Sequence, residues 1–129
     1  MNKYSKLIPT APYRILEAIW YQSIHGKINE ADFKFPYINK AKVDVAENIE
    51  FEKKLISLSG SELIFELVDQ DGHRAEFLIQ ATPVRKNESE ISYTLINSNL
   101  NGTKSKVLGW LIRTFDEVNQ FYVELRKAA

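Results

Sequence analysis

Three kinds of side chain in this sequence could do chemistry: two histidines, a set of carboxylates in alternating segments, and a few clustered lysines. His25 precedes Gly26 and His73 follows Asp71-Gly72; neither belongs to a recognisable nucleophile–base motif, so both are expected at the surface. Without cysteine, two histidines cannot complete a standard zinc site. Glu47, Glu50, Glu52 and Glu66 could serve as acids or bases only if buried. Alternation puts Glu50 and Glu52 opposite Ile49 and Phe51, on the side expected to face solvent. Lys53-Lys54, Lys104 and Lys106 read as solvated charge, and no glycine-rich phosphate loop accompanies them. The sequence therefore predicts no catalytic residue, no metal and no cofactor.

Its distinctive residues are aromatic and aliphatic. Phe65, Phe77, Ile79 and Tyr93 fall in alternating segments, Trp110 and Phe121 on a long helical pattern, and Phe35 and Tyr37 in an irregular stretch. Such residues fill an ordinary core or line an apolar pocket, and the sequence admits both. As a pocket, these eight would hold an apolar or amphipathic small molecule, with Phe35 and Tyr37 near its mouth.

Composition narrows the classes of partner. Seventeen basic residues balance seventeen acidic ones, which leaves no global field for nucleic acid or an anionic membrane. The absence of cysteine excludes disulfides and thiol catalysis and fits a reducing compartment. No apolar run resembles a signal peptide or a membrane span, so the expected location is the cytoplasm. A length of 129 residues suits one domain, taken as residues 1–129.

The element that must organise these residues runs from Thr103 to Lys127. Leu108, Leu111, Phe115, Val118, Tyr122 and Leu125 form one helical stripe, flanked by Trp110 and Phe121 on one side and Ile112 and Val123 on the other. Only a narrow arc remains for Arg113, Asp116, Glu117, Gln120, Glu124 and Lys127. Something must wrap this helix on three sides. Upstream, Lys3 to Pro9 alternates weakly, and Thr10-Ala11-Pro12 starts a helix that carries Ile15, Leu16, Ile19 and Trp20 to about Ser23, stopped by Gly26. The cluster Phe33, Phe35, Pro36 and Tyr37 reads as a loop packed by its rings or as a lid.

From Lys40 the period becomes two. Five strands follow, through Val43, Phe51, Phe65, Phe77 and Tyr93, with a bulge expected where Leu55 falls out of step and a hairpin at Asp71-Gly72. Pro83 is expected to close its strand. Ile64, Val68, Leu78 and Ile96 are apolar on the nominal outer face, which suggests a homodimer contact or a partner site. The prediction is an α+β domain: a curved antiparallel β-sheet wrapped around a long C-terminal α-helix, with a short N-terminal helix.

This order resembles the helix-grip fold of the START-like (SRPBCC) superfamily, which includes Bet v 1-type proteins, polyketide cyclases and homologues of the Hsp90-ATPase activator. The resemblance rests on Ile8-Pro9-Thr10-Ala11-Pro12 leading into Arg14-Ile15-Leu16-Glu17-Ala18-Ile19-Trp20, on the Asp71-Gly72 hairpin, on Pro83-Val84 and on the closing amphipathic helix. It implies an apolar ligand held between sheet and long helix. The alternative is a non-enzymatic interaction module with a filled core, acting through the outer sheet face or the aromatic loop.

Overall fold

The computed structural model describes residues 1–25 and 27–128, with the side chains of Ser23 and His25 excepted. The elements are β1 (Asn2–Lys3), α1 (Pro12–His25), a 3-10 turn (Glu30–Asp32), β2 (Lys40–Ala46), β3 (Ile49–Leu58), β4 (Glu62–Val68), β5 (Arg74–Arg85), β6 (Glu88–Ser98) and α2 (Lys104–Ala128). The six strands form one antiparallel sheet in the order β1-β6-β5-β4-β3-β2. This is the expected α+β arrangement, a curved sheet with a long C-terminal helix and a short N-terminal one.

Alternation sets the two faces of the sheet. Along β4, Leu63, Phe65 and Leu67 are buried while their neighbours are half-exposed, and β5 repeats the pattern with Ala75, Phe77, Ile79 and Ala81. Direct pairing of Leu63 with Ile79 and of Phe65 with Phe77 joins these into one apolar inner face. Curvature has a local cause. The register shifts at Asp44/Ala46, Leu55/Ser57, Glu76/Phe77 and Pro83/Arg85, and each such irregularity bends its strand and increases the twist. The bulge predicted near Leu55 is among them. Pro83 does not end its strand; it lies within β5 at one of these shifts, where a missing ladder donor is tolerated. The expected opening strand is also shorter. Only Asn2 and Lys3 pair with β6, after which single contacts by Tyr4 and Ile8 continue along it.

Helix α2 turns Val107, Leu111, Thr114, Phe115, Val118 and Tyr122 into the core, with Trp110 and Asn119 beside them. The buried stripe is rotated slightly from the one read in the sequence: Thr114 and Asn119 are inside, Leu108 is half-buried, and Leu125 is 42% exposed. Thr114 is accommodated because its hydroxyl donates to the Trp110 carbonyl at 3.0 Å. Leu125 lies in the last turns of α2, which carry no buried residue. The inner rings tie α2 to the β1 edge and to the middle of the sheet. Phe115 sits 5.5 Å from both Tyr4 and Tyr93, and Trp110 sits 6.2 Å from Phe65. Arg113 adds a hydrogen bond of 2.8 Å to the Val45 carbonyl.

Candidate functional site

The eight residues expected to share a pocket fall in three places. Phe65, Phe77, Ile79, Tyr93 and Trp110 lie inside, between sheet and α2. Phe65 and Phe77 are 5.5 Å apart, and Ile79 is paired with Tyr93. Phe65, Phe77 and Ile79 are 0% exposed, so no space large enough for a water molecule adjoins them. Phe35 and Tyr37 are elsewhere, in the loop before β2. Phe121 is half-buried on the outer flank of α2, 4.9 Å from Tyr122.

The aromatic loop is fastened to α1. Trp20 Nε1 donates to the Ile38 carbonyl at 2.7 Å, and Ile38 N donates to the Tyr21 hydroxyl at 3.1 Å. The Tyr37 hydroxyl donates to Glu17 at 3.0 Å, while Phe33 stacks on Tyr21 at 5.5 Å. Burial, helped by the Glu17 carboxylate, raises the pKa of Tyr37, which keeps it a donor. Phe35 stands out at 85% exposed, packed edge-on against Tyr37. The loop therefore packs through Phe33 and Tyr37, while Phe35 stands clear of the core.

The interior holds one residue that the sequence analysis assigned to solvent. Lys53 on β3 is 0% exposed. Its ammonium position lies 3.3 Å from the Ile19 carbonyl and 3.2 Å from the Trp20 carbonyl, midway along α1. Ring faces of Trp20, Phe65 and Trp110 surround it at 4.5, 4.8 and 5.4 Å. Burial pushes the amine well below its ordinary pKa. The ring faces oppose that shift by favouring a cation. The signal was present: Phe51, Lys53 and Leu55 share one phase of the strand. The adjacent Lys54 disguised it as a basic pair.

Outside the core, two hollows border α2. One is a groove of about 580 Å³ between the end of α1, the segment that follows it and the last turns of α2. Ile28, Phe121, Leu125 and Ala128 give it apolar walls; Gln22, Lys27, Glu117, Gln120 and Glu124 give it polar ones. Gln22 is 7% exposed, and its side-chain oxygen has no hydrogen-bond partner among the described residues. The second hollow, about 630 Å³, lies between the start of α1, the β5–β6 turn and the end of α2. Leu125 belongs to both. Neither hollow could be read locally, because each is assembled from residues remote in the chain.

The titratable residues singled out from the sequence are arranged for structure. Asp69 Oδ1 accepts from the main-chain N–H groups of Asp71 and His73, both at 2.9 Å, and Asp69 Oδ2 lies 3.2 Å from His73 Nδ1. Ligand atoms of Asp69, Asp71 and His73 lie within 4.8 Å of one another, but the Asp69 carboxylate is already engaged in shaping the hairpin turn. Glu50 and Glu52 pair with Lys42, Lys40 and Lys54 on the outer face, where such contacts contribute little. Glu66 pairs with Arg74 at 3.6 Å. The side chain of His25 and all of Gly26 lie outside the described residues. Among the described residues, no helix is long and apolar enough to cross a membrane.

Fold and site together define an α+β, helix-grip-like protein with a buried aromatic interior and, among the described residues, hollows beside its long helix. Comparison with protein-family models, with curated proteins and with solved structures gives no match.

Proposed function

We propose that this chain is a START-like domain that binds an apolar or amphipathic small molecule without catalysis, in the groove on the outer flank of α2. The groove carries the reading. At about 580 Å³ it falls within the size range of small-molecule sites, roughly 300–1,000 Å³. It also presents Phe121 and Leu125 beside Ile28. The interior between sheet and helix is the less favourable location, because Phe65, Phe77 and Ile79 leave no adjoining space.

A neutral naphthylamine dye is expected to brighten on binding the wild-type protein. Phe121→Asp is expected to weaken that binding at least tenfold, about 1.4 kcal/mol, while the circular-dichroism spectrum is unchanged. A wild-type protein that takes up no dye would remove the proposal.

A second reading uses the outer sheet face. Ile64 pairs directly with Leu78, and near them Ile56 and Ile96 are 51% and 43% exposed. We propose a second copy of this chain as the occupant, since a chain of no net charge meets no overall repulsion in self-association. Sedimentation at micromolar concentration should then show a dimer that Ile64→Asp splits into folded monomers. A wild-type monomer would exclude this reading.

A further inference from the structure

The hollow across Leu125 from the groove differs from it in charge. Arg14, Lys86 and Arg126 border it, with Asn87 beside them and, among the described residues, no carboxylate in its walls. Among the described residues Lys86 and Arg126 form no ion pair. Arg14 is shared: its Nη1 lies 3.7 Å from Glu30 and its Nε lies 3.4 Å from the Tyr13 hydroxyl. Glu30 also accepts a hydrogen bond of 3.1 Å from the Tyr122 hydroxyl, so its charge is divided between two partners. Three cations against one engaged carboxylate leave a local excess of positive charge in a chain that is neutral overall. Like charges gathered at one site repel, and a bound anion relieves that repulsion.

We propose that this hollow receives the anionic head of an amphipathic molecule, a carboxylate or phosphate, whose hydrocarbon chain crosses Leu125 into the apolar groove. The shared wall makes the connection: Leu125 is 42% exposed and borders both spaces. Arg14 and Arg126 offer planar, forked donors that match a carboxylate or phosphate, and Lys86 adds a point charge. The proposal rests on the groove reading above, and its test separates the two.

The test is calorimetric titration of the full chain with decanoate, decyltrimethylammonium and inorganic phosphate, each below any micelle threshold, alongside the neutral dye. Decanoate is expected to bind at least tenfold tighter than decyltrimethylammonium. The double variant Lys86→Gln, Arg126→Gln is expected to lose at least tenfold in decanoate affinity while dye affinity changes less than twofold. Inorganic phosphate should compete with decanoate but not with the dye. Equal affinity for the two decyl compounds would overturn the head-group assignment and leave the groove standing. Phosphate binding at Lys86 and Arg126 without any decanoate preference would make the hollow a free-anion site and overturn the shared ligand. Failure of the dye to bind would remove the groove itself, whatever the decyl compounds do.

Discussion

Replacing Lys53 with methionine is expected to stabilise the protein at neutral pH, by about 1–4 kcal/mol by analogy with apolar replacement of buried ion pairs. Methionine has nearly the same length and fills the same volume. It also removes the need to take an amine out of water into a ring-lined interior. The carbonyls of Ile19 and Trp20 belong to α1 and keep the main-chain bonding of a helix when the amine is gone. The pH dependence has a definite sign. The folded amine has a pKa well below its ordinary 10.5, so between those two values the unfolded chain holds a proton that the native chain does not. Stability should rise with pH across that window, level off below the folded value, and lose this slope in Lys53→Met. Tyr4 and Tyr122, both raised chiefly by burial, pull stability down once free tyrosine ionises near pH 10. They do so in both proteins, so the difference between two urea series isolates Lys53. Lys53→Glu should show no cooperative unfolding transition at pH 7, because a carboxylate would face two carbonyl oxygens and three ring faces. A methionine variant destabilised by more than about 2 kcal/mol, with a flat wild-type profile, would mean that the ammonium form is what the core holds.

The second large effect is at Phe115. Its ring touches Tyr4 at the first strand and Tyr93 on β6 from the middle of α2, and it is 0% exposed. The neighbouring Asp116 accepts a hydrogen bond from the Tyr4 hydroxyl, so one short stretch of α2 fixes the N-terminal segment twice. Phe115→Ala should cost about 3–5 kcal/mol, the lost burial plus the cavity left behind. Against a total stability of roughly 5–15 kcal/mol, that is a fifth or more of the fold, and scanning calorimetry should show Tm falling by about 10–20 °C. Leu125→Ala, on the same helix but 42% exposed, is the control and should shift Tm by only a few degrees. If Phe115→Ala moved Tm no more than Leu125→Ala, the helix would not be held by the sheet.

The architecture was legible because its signals are periodic. The helical stripe from Thr103 to Lys127 anticipated α2 within a residue at each end, and strict alternation through Phe65 and Phe77 anticipated β4 and β5. The loop was legible in part: Phe33 and Tyr37 pack on α1, while Phe35 stays exposed. What escaped had physical reasons. Lys53 lies on the inward phase of β3, but a charged side chain next to another lysine reads as solvent unless its partners are known, and these include rings and carbonyls from α1, β4 and α2. Leu125 fits the buried stripe by angle; what exposes it is its place in the last turns of α2, beyond the buried residues. The two hollows join residues as remote as Thr10 and Arg126, or Gln22 and Ala128, and no local pattern carries such a pairing.

The most direct test of a solid interior with binding on the outer flank is a chemical-shift titration of isotope-labelled protein with decanoate. Resonances of Ile28, Phe121 and Leu125 should move with saturation, while those of Phe65, Phe77 and Trp110 stay in place. Saturable shifts at Phe65, Phe77 and Trp110, with Phe121 and Leu125 unmoved, would place the ligand between sheet and helix and contradict the account.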